Sequence, residues 1–160
     1  MTNPGFDTTE AGKWFAIEAN NRAWELLERP ERSEDKATEM LHAAHAACHH
    51  WMHVGTTTNH ARAECLVALV NADLGLASSA VRGAVRCLDL VEGHPDVMED
   101  WDVAFAYDCA ARARAVAGEL SLARELKTQA RSHGDRISGP DDKQVFDQWF
   151  AAGCWHGLDD

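Results

Sequence analysis

The chain has 160 residues, of which 46% are hydrophobic and 26% are charged, the proportions of an ordinary folded protein. Its formal net charge of -11 would repel a phosphate backbone or an anionic membrane surface, so we expect neither a nucleic-acid nor a membrane partner. No apolar run reaches the ~20 residues that span a bilayer, and the N-terminal residues lack a secretory signal. These properties predict a single cytoplasmic domain.

Helical patterns follow one another along the chain, and no alternating strand pattern interrupts them. The predicted helices span residues 10–29, 34–54, 59–74, 79–92, 97 or 99 to 117, 122–132 and 143–152. The predicted N-caps are Ser33, Thr57 or Thr58, Ser78 and Ser121. Because the connections are short, consecutive helices should pack as antiparallel neighbours. The sequence therefore predicts an all-α array of three helical hairpins and a final helix, about seven helices in all.

An internal repeat is visible when the third and fourth helices are laid on the fifth and sixth with an offset of 43 residues. This offset places Gly75 on Gly118 and Ser78 on Ser121. Glycine lets the first helix of a pair end in a left-handed turn, and alanines recur at positions where two helices cross closely. The repeat therefore indicates two hairpins built in the same way.

The glycine and alanine positions resemble the turn inside a tetratricopeptide repeat. In that family a glycine ends the first helix and a small residue lies early on the second, where this chain has Gly75 with Ala80 and Gly118 with Ala123. The chain departs from the family in its offset of 43 residues, which exceeds the usual period of about 34. The resemblance covers about residues 58–134 and implies an array of α-hairpins.

A second stretch resembles small bacterial tetratricopeptide-repeat-like proteins without an assigned function. The residues that carry it are the string His50-Trp51-x-x-Val54-Gly55-Thr56, then Asn59, Ala61, Arg62 and Glu64, and Trp101-Asp102 through Ala115. The resemblance implies the helical-repeat fold and a cytoplasmic setting, and it implies no substrate. The wider repeat family favours the binding of a protein or peptide in a concave groove.

Six of the nine histidines lie between residues 42 and 60, which is the one compositional anomaly of the chain. At about 100° per residue, His42, His45, His49 and His53 share one face of the second helix. This histidine face has three interpretations: a solvated polar surface, a metal site or a pH sensor. The candidate ligands for zinc or another transition metal are His45, His49 and His53, completed by His60 or Glu64 from the next helix.

The cysteines and tryptophans are interpreted as structural. Five cysteines, none in a C-x-x-C pair, are expected to be reduced thiols in the core or in a groove. Most of the six tryptophans should lie between helices. Trp149, Phe150 and Trp155 are the candidates for closing the end of the stack or for self-association. No phosphate-binding loop, nucleophile elbow or zinc-protease pattern is present, so no catalytic residue is predicted.

The sequence therefore predicts a protein- or peptide-binding module with no catalytic activity and no cofactor. The groove is expected to be contacted by His50, Asn59, Arg62, Tyr107 and Arg114. The alternative is a metal-binding or metal-dependent protein that uses the histidine cluster of residues 42–60. The domain is expected over residues 10–153, between a flexible N-terminus of residues 1–9 and a tail of residues 154–160. A homo-oligomer is a further expectation, because short arrays often cover their end helices by pairing.

Overall fold

A computed structural model of the chain describes residues 5–158, which contain seven α-helices, one 3₁₀ helix and no strand. In chain order the helices are α1 Thr8–Leu27, α2 Glu34–Val54, α3 Thr57–Asp73, α4 Ala77–Gly93, α5 Asp100–Val116, α6 Leu120–Gly134 and α7 Pro140–Ala152, with the 3₁₀ helix Pro95–Val97 between α4 and α5. The predicted all-α fold of about seven helices is confirmed. Residues 1–4 of the predicted flexible N-terminus and residues 159–160 of the predicted tail lie outside the described residues.

Two of the predicted N-caps concern α2 and α3, and the cap of α3 lies at a different residue from the predicted one. Ser33 caps α2 and accepts a backbone N–H in its first turn, as predicted. The prediction of Thr57 or Thr58 as the cap of α3 is wrong, because Thr56 occupies that position. Thr56 and Asn59 form a reciprocal capping box, in which each side chain satisfies a backbone N–H near the other residue.

The predicted caps Ser78 and Ser121 are also wrong, because α4 and α6 begin directly after Leu76 and Glu119, whose side chains make no capping hydrogen bond. The reason lies in the preceding turns. Gly75 and Gly118 have φ values of +72° and +79°, the left-handed conformation that the sequence predicted for them.

Two backbone hydrogen bonds close each of these turns. Leu76 N–H bonds the carbonyl of Asn71 and Gly75 N–H that of Ala72, and Glu119 N–H bonds the carbonyl of Arg114 and Gly118 N–H that of Ala115. These bonds satisfy the last carbonyls of the first helix and turn the chain at once into the next helix. A serine cap is therefore not needed.

Consecutive helices pack in the pairs α1–α2, α3–α4 and α5–α6, and contacts of α2 with α3, α4 with α5 and α3 with α5 join the pairs. Helices α3 and α5 lie at the centre, where eleven residues of α3 and ten of α5 are buried. Among the described residues no helix is both long enough and apolar enough to cross a membrane. Because so many residues of α3 and α5 are buried, the reactive side chains on these two helices are largely enclosed.

A glycine lets α3 and α4 cross closely. A Cβ added at Gly83 would lie 3.2 Å from the backbone nitrogen of Ala68 and 3.3 Å from the carbonyl oxygen of Glu64. The backbones therefore meet with almost no side chain between them. One turn beyond Gly83, this close approach brings Cys87 of α4 towards Cys65 of α3.

Substituting Gly134 tests the packing of α6 on α7. A Cβ added there would lie 2.0 Å from the ring of Phe146, which is fully buried. We predict that Gly134→Ala lowers the free energy of unfolding by about 1–3 kcal/mol, the usual cost of overpacking a core. Urea unfolding followed by circular dichroism measures the change.

The matched control is Gly93→Ala, because an added Cβ at Gly93, the last residue of α4, meets no atom within 4 Å. Its free energy of unfolding should stay unchanged or rise by about 0.5 kcal/mol, since alanine restricts the unfolded chain. A Gly134→Ala variant as stable as the control would contradict the observed packing of Phe146 against Gly134.

Candidate functional site

Three cysteines from three successive helices meet in the core. Cys65 of α3, Cys87 of α4 and Cys109 of α5 are buried, and their Sγ atoms all lie within 4.8 Å of one another. Within residues 5–158 no other group of three or more histidine, cysteine, aspartate or glutamate side chains is arranged closely enough to hold a metal ion. All five cysteines are free thiols. We call the three that meet the cysteine cluster.

Hydrogen bonds set the protonation of the cysteine cluster. Hydrogen bonds with Cys65 and Cys87, together with burial, raise the pKa of the Cys109 thiol well above its ordinary value. Interactions with the thiols of Cys109 and Cys65 lower the pKa of Cys87 against the opposing effect of burial. The thiols of Cys109 and Cys65 also lie within hydrogen-bond reach of backbone carbonyls, that of Ala106 at 3.2 Å from Cys109 Sγ and that of Phe105 at 3.6 Å from Cys65 Sγ.

Three buried carboxylates surround the cysteine cluster, and an arginine neutralises each of them. The pairs are Arg62 with Asp102 at 2.7 Å, Arg86 with Glu64 at 2.7 Å and Arg112 with Asp108 at 2.8 Å. The charge of Asp108 adds to the hydrogen bond with Cys87 and to burial in raising the pKa of Cys65, and the charges of Asp102 and Glu64 oppose the lowering of the pKa of Cys87. Because these arginines are already paired, none of the three is free to neutralise an additional negative charge on the sulfurs.

The cysteine cluster was not predicted, although a signal for it is present in the sequence. The three cysteines recur at a constant interval of 22 residues, which is about one helix and its turn. Cys65 and Cys87 lie at similar distances on either side of the Gly75 turn, so an antiparallel hairpin brings them together. The repeat offset carries Cys65 to within one residue of Cys109. Treating each cysteine as an isolated small core residue missed this relation.

The histidine face of α2 lies in solvent. His42, His45, His49 and His53 are all exposed. The rings of His49 and His53 are in contact, with centroids 4.8 Å apart. A second pair of predicted metal ligands, His45 and Glu64, lines one cleft between α2 and α3.

The two ligands expected from α3 are engaged elsewhere. The His60 Nε2 atom lies 2.9 Å from the carbonyl oxygen of Trp51, and Glu64 is buried in its ion pair with Arg86. The five predicted ligands therefore do not form a three-ligand group among the described residues. A metal site on the histidine face stays a prediction that rests on two contacting imidazoles.

The five predicted groove residues do not bound one cavity. His50 stacks on Phe15, Asn59 completes the capping box of α3, Arg62 pairs with Asp102, Tyr107 donates to Glu92 and stacks on His133, and Arg114 pairs with Glu119. None of the five residues lines the cleft of about 740 Å³ at α6 and α7 or the cleft of about 260 Å³ among α2, α3 and α4. Each of the five has a structural partner within the chain.

The C-terminal segment, residues 149–158, lies across the first helices of the hairpins. Trp149 contacts Trp24 of α1, with ring centroids 5.3 Å apart, and its Nε1–H donates to Asp108 of α5 at 2.8 Å. Arg112 of α5 donates to the carbonyl of Cys154 at 2.9 Å. A groove between α1 and α5 would therefore be filled by the chain itself.

Five aromatic rings form a continuous strip on the outer surface of α1 and α2, which we call the aromatic strip. In order of contact its members are Trp14, Phe15, His50, His49 and His53, with successive ring centroids 5.0, 5.5, 5.5 and 4.8 Å apart. Trp14 is 58% exposed and Phe15 is 48% exposed. Most tryptophans were expected to lie between helices, but Trp14 lies on the surface.

No protein-family model, no curated protein and no solved structure matches the chain. The geometry of the side chains is therefore the basis on which function is assigned. Two features stand apart from ordinary packing: the cysteine cluster in the core and the aromatic strip on the surface.

Removing Arg112 tests whether the C-terminal segment is anchored by its buried ion pair. Asp108 has 0% and Arg112 4% of its side chain exposed. We predict that Arg112→Met lowers the free energy of unfolding by about 3–5 kcal/mol, because it leaves a carboxylate buried without its partner. Urea unfolding followed by tryptophan fluorescence gives the value.

Arg114→Met serves as the matched control, since Arg114 pairs with Glu119 nearer the surface. Its loss should cost about 0–1 kcal/mol, as is usual for exposed pairs. Equal losses in the two variants would show that the buried pair does not hold the segment in place.

Proposed function

We propose that the protein is a non-catalytic, tetratricopeptide-repeat-like module that binds another protein through the aromatic strip. The single observation that carries the proposal is the exposure of Trp14 and Phe15, at 58% and 48%, in a series of contacting rings that continues from Phe15 to His50, His49 and His53. Tryptophan and other aromatic residues are enriched at protein interfaces, where they supply most of the binding energy. The proposed function belongs to the class predicted from the sequence, but the proposed binding surface is the aromatic strip instead of the predicted groove. Of the five predicted groove residues, His50 alone belongs to it.

The position of the strip supports binding. Roughly half of each of the two aromatic side chains on α1 is exposed, so a partner can reach them without displacing another part of the chain. Burying each of them would contribute about 1.5–3 kcal/mol.

The chemistry of the strip favours an amphipathic helix as the bound segment. Trp14 and Phe15 come from α1 and the three histidines from α2, so the strip crosses both helices. A partner helix laid across them would extend the array by one helix and bury its own apolar face against the rings. The imidazoles at the edge offer hydrogen-bond donors and acceptors for polar groups along that helix.

Selection of peptides tests the proposal without knowledge of the natural partner. A phage-displayed library of random peptides is selected against the wild-type chain, and the affinity of the enriched peptides is measured by fluorescence anisotropy. We predict enriched peptides with large apolar residues at helical spacing. Trp14→Ala should weaken their binding at least about tenfold, as at an interface hot spot.

The matched control is Val145→Ala. Val145 is 58% exposed, as Trp14 is, but it lies on α7, whereas the strip lies on α1 and α2. Its substitution should leave binding within about twofold of the wild type. Peptides that bind Trp14→Ala as tightly as the wild type would overturn the proposal. Light scattering that finds a dimer in the wild type and a monomer in Trp14→Ala would instead assign the strip to a second copy of this chain.

A further inference from the structure

We propose that Cys65, Cys87 and Cys109 form a three-coordinate site for a trivalent thiophilic ion, arsenic(III) being the form that fits best. The inference concerns the cysteine cluster in the core and is independent of the aromatic strip. It rests on the separation of the sulfurs, on the number of ligands and on the charge of the complex.

The separation of the sulfurs suits a single ion. The three Sγ atoms lie within 4.8 Å of one another. An ion bonded at about 2.3 Å, the usual length of a metal–thiolate bond, holds three sulfurs about 3.5 Å apart when its coordination is pyramidal, as that of arsenic(III) is because of its lone pair. Small side-chain rotations therefore close the site, since the three residues lie on three helices that already pack together. Thiolate sulfur selects soft ions over the hard cations that prefer oxygen.

The number of ligands favours three-coordination. The group contains three cysteines, and no histidine, aspartate or glutamate of the described residues joins it. The carboxylates whose charges act on the thiols are already paired with Arg62, Arg86 and Arg112. A structural zinc ion takes four ligands in a tetrahedron. An ion that is satisfied by three sulfurs matches the cluster better.

The charge of the complex selects a trivalent ion. Three thiolates carry three negative charges, so a monovalent ion leaves two of them uncompensated, a divalent ion leaves one and a trivalent ion leaves none. An uncompensated charge in a protein core costs several kcal/mol. The cluster is enclosed, and the nearby arginines are already paired with carboxylates. A neutral complex is therefore the stable one.

The binding step balances without an oxidant or a reductant. Arsenous acid, As(OH)₃, reacts with three thiols to give As(SR)₃ and three molecules of water. Three As–O bonds break and three As–S bonds form, and each thiol proton leaves in a water molecule. If Cys87 enters as a thiolate, one proton comes from the solvent. A divalent ion entering the same site would instead release two or three protons, so the direction of proton transfer distinguishes the two kinds of ion.

Loading requires a local opening of the helix packing, because the cysteine cluster is buried. The cleft of about 260 Å³ is lined by Glu64, Gly83 and Arg86, which lie next to Cys65 or within one turn of Cys87 along their helices. We expect binding to be slow and, once complete, to stabilise the folded chain.

The experiment uses the reduced full chain without a tag, under nitrogen, titrated with sodium arsenite. Calorimetry in two buffers of different ionisation enthalpy counts the protons exchanged, and X-ray absorption at the arsenic edge counts the sulfur ligands. We predict one arsenic per chain, three As–S bonds, and either no proton exchanged or one proton taken up. Proton release or a two-sulfur site would overturn the proposal.

Variants locate the site. Cys87→Ala should weaken binding more than about 100-fold, since loss of a ligand costs at least as much as loss of an outer-shell partner. The control is the double variant Cys48→Ala with Cys154→Ala, which removes the two thiols outside the cluster and should bind as the wild type does. Circular dichroism verifies folding.

The opposite pattern, with Cys87→Ala unaffected or the double variant impaired, would place arsenic elsewhere. If Cys87→Ala fails to fold, the sulfur count on the wild type decides. Tighter binding of zinc than of arsenic(III) to the wild-type chain would also overturn the proposal.

Discussion

The close approach of α3, α4 and α5 through small side chains is the constraint on which the rest of the structure depends. Where Gly83 meets Ala68, the two backbones are separated by little more than a methyl group. Polar side chains that are buried in so narrow a core need hydrogen-bond partners within the chain. The arginine–carboxylate pairs around α3 and α5 are a consequence of that requirement. The cysteine cluster fits the same close approach of the helices, because cysteine is small enough to replace alanine where two helices cross.

One of these pairs explains the course of the C-terminal segment. Arg112 makes two hydrogen bonds to Asp108, which leaves further N–H groups of the guanidinium to be satisfied. The carbonyl of Cys154 accepts one of them. Gly153 is required beside them, because a Cβ there would lie 1.9 Å from Nη1 of Arg112. The segment therefore completes the polar core, and the face that it covers is not free for a partner peptide.

Much of the fold could be predicted from the sequence, because its signals are local. Gly75 and Gly118 predicted the turns, and Ser33 predicted the start of α2. The predictions of Ser78 and Ser121 as caps failed because a closed glycine turn starts the next helix without a side-chain cap. Local sequence rules predict a cap wherever a suitable residue precedes a helix. They do not reveal that the preceding glycine turn already starts the helix without a side-chain cap.

The candidate sites were harder to predict, because each depends on contacts between distant parts of the chain. Arg62 was expected in a groove, and its guanidinium is held by Asp102, forty residues further along. Trp155 was expected to close the stack or to pair with another copy, and it is buried against Arg112 within the chain. The cysteine cluster needs three helices in register. The constant interval between the cysteines becomes informative once the hairpin turns are known. The turns determine which residues of neighbouring helices lie side by side in the core.

The two proposed sites should act independently, for a structural reason. The aromatic strip lies on the outer side of α1 and α2, whereas the cysteine cluster lies among α3, α4 and α5. The helices of the strip reach those of the cluster through the contacts of α1 and α2 with α3, and through Trp149, which contacts Trp24 of α1 and Asp108 of α5. Coupling of two sites requires an element with two arrangements that both ligands bias. The ring contacts of the strip involve residues of α1 and α2 alone, so a partner bound there would not touch α3, α4 or α5 at the cluster.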